Sequence, residues 1–97
     1  MTAKANAIRN LFSQLLYKLI DYYTSINNQT NLGYALQLLL KHNPYSEDAL
    51  QQLMLFYKHN GNRAEAVNLF RKFKKKYITD LGIQPSEESF QIFKSII

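Results

Sequence analysis

Residues 57–70 read YKHNGNRAEAVNLF and contain the end of one helix, a tight turn and the start of the next helix. Gly61 readily adopts the left-handed backbone conformation that commonly ends a helix. Asn62, followed three positions later by Glu65, is typical of an N-cap and its capping-box partner. The stretch therefore predicts two antiparallel helices joined by a short turn.

The chain before this turn has the same organisation. Apolar residues recur every three or four positions from Ile8 to Ile26, which predicts a helix from about Ala5 to Ile26. The polar residues after Ile26 end that helix, and Thr30 or Asn31 is expected to cap a second one by accepting a bond from a free amide. A tight turn is therefore predicted between the first two helices.

Proline, serine and glycine mark the remaining helix boundaries. The second helix is expected to stop near His42, because Pro44 disfavours helical geometry in the residue before it. Ser46 is a suitable N-cap for the third helix. Gly82 is expected to end the fourth helix, and the Pro-Ser pair at residues 85–86 begins a fifth.

An internal repeat follows from these boundaries. The second and fourth helices can be overlaid at an offset of 31 residues, which matches Ala35 with Ala66 and Leu39 with Phe70. A repeated helix pair of about 30 to 35 residues is near the length of the tetratricopeptide repeat. We predict an all-α fold of about five helices, with antiparallel helix pairs stacked as a tetratricopeptide-like right-handed array. Residues 7–97 are expected to form this domain, and residues 1–6 to be disordered or derived from cloning.

The composition limits the class of protein. The chain has 97 residues, of which 46% are hydrophobic, and this suits one folded domain. The absence of cysteine excludes disulfides and thiolate metal sites. Its apolar stretches are far shorter than the roughly 20 residues that a membrane span requires. We therefore expect a cytoplasmic protein with no membrane contact.

No group of residues predicts catalysis. Catalysis needs a nucleophile, a base and an orienting group in one place, whereas this sequence offers two isolated histidines and acids scattered at helix starts. His42 and His59 have no second histidine three or four residues away, so a capping or surface role is expected rather than a metal site. We expect no enzymatic activity, no catalytic residue, no cofactor and no metal.

A run of cations is the candidate for contact with nucleic acid, because clustered positive charge releases counterions from a phosphate backbone. The net charge of +5 comes largely from this run. The alternative is an ordinary solvated helix face near a carboxyl end, where cations suit the helix dipole. The residues are Arg71, Lys72, Lys74, Lys75 and Lys76.

The seven tyrosines exceed what a core of this size needs. Tyrosine is enriched at protein interfaces, but its amphipathic ring also suits the edge of a core. Both interpretations remain open at this stage. The candidate interface residues are Tyr17, Tyr22, Tyr34, Tyr45 and Tyr57.

Three ordered segments resemble a known family. Residues 81–89, LGIQPSEES, with the following residues 90–97, resemble the closing motif of the bacterial transcriptional activator domain, in which a helix ends at Leu-Gly and Pro-Ser opens the last one. The segments NPYSEDA at residues 43–49 and NGNRAEA at residues 60–66 resemble the repeat turns of that family. The resemblance runs from about residue 15 to residue 97.

The resemblance implies a domain that follows a winged-helix DNA-binding domain in bacterial regulators and mediates protein contacts, such as self-association or signal input. Nothing in this sequence resembles a winged helix, and the family domain is usually longer at its amino end. We therefore expect a C-terminal fragment of a regulator that reaches DNA through an upstream domain. The alternatives are a direct nucleic-acid binder and a free-standing tetratricopeptide adaptor.

Overall fold

The computed structural model describes residues 2–97, and the side chains of residues 10–97. It confirms an all-α fold of five helices, with no strand in the described part of the chain. The helices are α1 (Thr2–Ser25), α2 (Gln29–His42), α3 (Glu47–His59), α4 (Arg63–Leu81) and α5 (Glu87–Ile96). Two compact units contain them: Met1–Asn43 holds α1 and α2, and Pro44–Ile97 holds α3, α4 and α5.

The two compact units do not test the predicted assignment of the chain to one domain. Stacking of the helix pairs into a right-handed tetratricopeptide-like array stays a prediction, as does the assignment of residues 7–97 to one such domain. Helix α1 begins at Thr2, ahead of the expected start near Ala5. The disordered or cloning-derived start expected for residues 1–6 stays a prediction, and Met1 lies outside the described residues.

The first unit is an antiparallel pair in which α2 buries its apolar face against α1. The bond from the Asn43 Nδ2 amide to the Ser13 Oγ hydroxyl, at 3.0 Å, fixes the end of α2 beside α1. The Phe12 ring packs on the His42 ring with centroids 4.3 Å apart. Among the described side chains of this unit, the buried apolar ones are Leu16, Ile20, Leu32, Ala35, Leu36 and Leu39.

The turn between α1 and α2 differs from the sequence prediction. Asn27 takes a left-handed conformation with φ of 56°, which asparagine tolerates better than most residues because its short polar side chain can bond locally. The N-cap of α2 is Asn28, whose side chain accepts a bond from the Asn31 amide at 3.2 Å. The expected caps, Thr30 and Asn31, were wrong because α2 begins earlier, at Gln29.

Aromatic rings from α4 and α5 form the centre of the second unit. Phe70 is almost fully buried and stacks on Phe93 at 4.4 Å between centroids. Phe90 meets the same ring edge-on at 5.2 Å, an arrangement that the ring quadrupoles favour. Helix α3 completes this core with Ala49, Leu50, Leu53 and Met54.

The helix boundaries of the second unit agree largely with the sequence. Ser46 caps α3 by accepting a bond from the Ala49 amide. Gly61 and Gly82 are left-handed, with φ of 72° and 70°. Asn62 occupies the N-cap position of α4, but its side chain makes no capping bond. The predicted capping box at this turn is therefore wrong in its side-chain contact, although the position is right.

Candidate interaction surfaces

Helix α1 exposes a line of large apolar side chains that α2 does not cover. The residues recur at spacings of three and four, which is the heptad spacing of a helix seam that packs against another helix. Their exposed fractions range from 37% to 59%. We call this set the α1 seam; it consists of Phe12, Leu15, Leu19, Tyr22 and Ile26.

The seam exists because the apolar arc of α1 is wider than one neighbouring helix can cover. Leu16 and Ile20 point toward α2 and are buried. Leu15 and Leu19 each precede one of these residues, so at about 100° per residue they lie on the adjoining face of the helix. The sequence periodicity placed both sets on one stripe, whereas the structure shows that only part of that stripe is buried.

The five candidate tyrosines differ in accessibility. Tyr22, in the α1 seam, and Tyr34, on the outer face of α2, are the most exposed, at 57% and 63%. Tyr57 is half-buried, and its ring meets Phe56 edge-on at 5.8 Å. Tyr17 is exposed on α1 to a smaller extent than Tyr22. Of the five, Tyr22 is the one that lies within a larger exposed apolar surface.

Tyr45 contacts two residues of its own unit. Its hydroxyl donates to the Asp80 Oδ2 carboxylate oxygen at 2.8 Å, and the Lys76 Nζ lies 5.6 Å from the centre of its ring. The bond to Asp80, together with partial desolvation and the charge of that carboxylate, raises the pKa of the Tyr45 hydroxyl. These contacts make Tyr45 a poor candidate for a partner that must engage its hydroxyl.

The basic run on α4 is not a uniform patch. Lys74 is half-buried and holds its Nζ 5.3 Å from the centre of the Phe90 ring. Lys76 is exposed but lies over Tyr45. Arg71, Lys72 and Lys75 are exposed. Two of the five cations thus lie over aromatic rings, and four of the five are exposed.

A carboxylate network joins the starts of α3 and α5. The Glu47 Oε1 atom accepts bonds from the Ser86 backbone amide and from the Ser89 hydroxyl, both at 2.7 Å. The Tyr77 hydroxyl lies 3.5 Å from the Glu47 Oε2 atom. Glu47 thus binds the N-cap residue of α5 and a hydroxyl in its first turn, whereas the Ser86 side chain itself makes no capping bond.

The ionisation of Glu47 follows from these bonds. Partial burial opposes the charged form, but the bonds from Ser86, Ser89 and Tyr77 outweigh it and lower the pKa of Glu47 below 4.5. The pKa of the Tyr77 hydroxyl is raised by its burial and by the Glu47 charge. No local pattern in the sequence predicts this network, because residues about 40 positions apart form it.

The Ser89 and Glu47 pair superficially resembles a nucleophile beside a base. Ser89 is fully buried, however, and its oxygen also accepts a bond from the Gln51 side-chain amide at 3.0 Å. A substrate has no access to a hydroxyl in this position. The pair therefore holds α3 and α5 together and is structural.

The two histidines lie in the last turns of α2 and α3. His42 lies against Phe12, and His59 is exposed at the end of α3. No cluster of three potential metal ligands occurs in the described part of the chain. Among those same residues, no helix has both the length and the apolar character needed to cross a bilayer.

Comparison with known proteins identifies the family. The sequence model of the bacterial transcriptional activator domain matches residues 1–97. The chain belongs to the bacterial transcriptional activator domain family. No curated protein and no solved structure matches the chain.

Membership of the family confirms the resemblance that the turn motifs indicated, and it covers the whole chain rather than residues 15–97 alone. Bacterial transcriptional activator domains are regulatory parts of transcription regulators and are not an enzyme family. The exposed surfaces described above are therefore to be understood as parts of a regulatory domain.

Proposed function

We propose that this chain is the protein-interaction domain of a bacterial transcription regulator, and that it acts on partners through the exposed face of the Met1–Asn43 unit. The domain makes no base contact itself in this proposal. DNA is reached through a winged-helix domain upstream in the full-length cytoplasmic protein, as the family resemblance implies.

The α1 seam is the observation that carries this proposal. Soluble domains rarely expose a contiguous row of large apolar side chains, and such rows commonly mark interaction sites. Four such residues lie on α1 and Ile26 directly follows its last residue, and the charged residues among positions 10–26 are Lys18 and Asp21. A partner that covers the seam removes apolar area from water, which favours binding. Few charged side chains lose their hydration in the process, so the cost of desolvation is small.

The proposal is tested by changing exposed rings in the native regulator. Tyr22→Ala and Tyr34→Ala remove the two most exposed rings without opening the core, because both side chains are mainly solvated. We expect weaker co-purification of the regulator's protein partner with one or both variants, and an unchanged far-ultraviolet circular dichroism spectrum. Tyr22→Phe is the control, since it keeps the ring and loses only the hydroxyl. Full association with both alanine variants contradicts the proposal.

Direct binding of nucleic acid is the second candidate, and three of the four exposed cations in the basic run of α4, those that do not lie over Tyr45, support it. If Arg71, Lys72 and Lys75 each contact one phosphate of duplex DNA, the logarithm of affinity falls with the logarithm of salt at a slope of about −2.7. Lys72→Glu with Lys75→Glu then abolishes retention on DNA at low salt. Absence of retention by the unchanged chain at low salt excludes this candidate.

A further inference from the structure

We infer that α5 undocks from α3 and α4 as one unit while those two helices stay folded together, and that the Glu47 carboxylate controls how often it does so. This inference goes beyond the proposed function, because it concerns the Pro44–Ile97 unit and requires no partner. Three features support it: the connection before α5, the polar contacts that dock α5, and the direct packing of α3 on α4.

The connection between α4 and α5 can act as a hinge. Helix α4 ends at Leu81, and Gly82 then turns the chain with a φ of 70°. No neighbouring atom lies within 4 Å of the position that a Cβ would take at Gly82. Residues 82–86 are not helical, and residues 82–84 are exposed. Because a few such residues can absorb large changes in φ and ψ, α5 can move away without disturbing α4.

The amino end of α5 is docked by hydrogen bonds to α3. The Glu47 carboxylate accepts bonds from the Ser86 amide and the Ser89 hydroxyl. The Ser89 oxygen in turn accepts a bond from the Gln51 side-chain amide at 3.0 Å. Water replaces such bonds when the helix undocks, so each makes only a small net contribution to docking. The bonds to Glu47 involve a charged acceptor and are therefore the stronger ones.

The carboxyl end of α5 is docked in a similar way. The Lys58 Nζ ammonium donates to the Ser95 hydroxyl at 3.2 Å. The Arg63 Nε donates to the Ile96 carbonyl at 2.8 Å. Both cations belong to exposed residues, so water can also replace these bonds. In α5, which the structure describes throughout, the buried residues are Ser89 and Ile96, whereas the buried residues of α3 are all apolar. The docking of α5 thus depends strongly on polar contacts.

Undocking uncovers the aromatic centre of the unit. Phe70 is 1% exposed, and its ring packs against Phe90 and Phe93 of α5. Exposure of Phe70 to water is unfavourable, so the docked state predominates. Helix α5 has ten residues, whereas an isolated helix needs about 12–15, so α5 loses its helical structure when it undocks. An effector that binds only one of the two states shifts the balance between them.

Amide hydrogen exchange of the intact chain in low concentrations of urea measures undocking directly. We expect the amides of residues 90–97 to exchange through one shared opening. In the absence of urea this exchange is expected to be at least about tenfold faster than that of the slowest amides of α3. Because undocking exposes less surface than complete unfolding, the shared opening is expected to depend less steeply on urea.

Glu47→Gln tests the role of the carboxylate. The substitution keeps the size of the side chain and removes its charge, and we expect the shared opening of residues 90–97 to become on the order of fivefold more frequent. Glu88→Gln is the matched control, because it removes a charge from an exposed position in the first turn of α5. It is expected to change the opening by no more than about twofold.

Three results overturn the inference. If the amides of residues 90–97 exchange only together with those of α3, α5 stays docked until the whole unit unfolds. If they exchange one by one without dependence on urea, the end of the helix frays and does not undock as a unit. If Glu47→Gln leaves their exchange unchanged, the carboxylate does not control docking. A shared opening that Glu47→Gln makes more frequent, and Glu88→Gln does not, supports the inference.

Discussion

Replacing Glu47 with glutamine removes the charge that joins the starts of α3 and α5 while keeping the size of the side chain. In the native protein one carboxylate oxygen accepts two short bonds, from the Ser86 amide and the Ser89 hydroxyl. A hydrogen bond to a charged group contributes about 1.5–3 kcal/mol and a neutral one about 0.5–1.5 kcal/mol. The amide oxygen of glutamine retains neutral bonds, so about 1 kcal/mol is lost at each of the two.

Solvent near this half-buried carboxylate weakens both hydrogen bonds, so the total loss of stability is smaller than the sum of the two separate losses. We expect Glu47→Gln to lower the free energy of unfolding by about 1 kcal/mol at pH 7, which corresponds to a fall of about 4–8 °C in the melting temperature of a domain this size. Thermal unfolding followed by circular dichroism at 222 nm measures this change. Glu88→Gln is the control, because it removes the same charge from the first turn of α5, and a loss below about 0.5 kcal/mol is expected there.

The pH dependence gives a sharper test. Because folding lowers the pKa of Glu47 below its ordinary value of 4.5, its contribution is fully present above pH 4.5 and is lost as the pH falls through the lower, folded pKa. The difference between the native chain and Glu47→Gln should therefore shrink progressively below pH 4.5. A difference that is the same at pH 7 and pH 3, or that is absent at pH 7, would refute the assigned role of the Glu47 charge.

Further changes test other parts of the structure. Leu39→Ala should cost about 2–5 kcal/mol in urea unfolding, because Leu39 is buried, whereas Leu38→Ala beside it should cost much less; equal losses would contradict the assigned faces of α2. Gly82→Ala should cost about 1–2 kcal/mol, because alanine is strained at a φ of 70° although the site has space for a methyl group, and an unchanged melting temperature would argue against this conformation. Asp80→Asn should lower the pKa of Tyr45, since the charged acceptor that raises it is lost, and an unshifted NMR titration of the Tyr45 ring would show that the bond is not formed in solution.

The helices could be predicted from the sequence because their signals are local. Ser46, Gly61 and Gly82 have the side chains or backbone freedom that helix ends require, and the structure uses each as predicted. The α1–α2 turn was less predictable. Asn27, Asn28, Thr30 and Asn31 can all cap or end a helix, and local chemistry does not decide among them.

The division of the α1 stripe into buried and exposed parts could not be predicted. Periodicity shows which residues share a face, but the covered fraction depends on where the neighbouring helix lies. Leu15 and Leu16 are adjacent and identical in type, yet one is 59% exposed and the other 3%. The Glu47 network was missed for a similar reason, since residues distant in sequence meet only after folding.

The candidate tyrosines and cations show the limit of composition as evidence. Tyr45 and Lys76 each belonged to a separate candidate surface in the sequence, but in the structure they contact each other. Tyr22 gains significance because its neighbours along α1 are also exposed and apolar. A surface is therefore defined by which side chains adjoin one another, and the number of residues of one type does not define it.

In the proposed function the α1 seam serves regulation through protein contact rather than DNA contact. The most direct measurement introduces Leu15→Glu into the native regulator and records both its occupancy of DNA and the transcription of the genes it controls. We expect that occupancy by individual regulator molecules persists while transcriptional control is lost, and that the Leu38→Glu regulator behaves as the unchanged protein. Unaltered transcriptional control with Leu15→Glu would show that the α1 seam has no regulatory role.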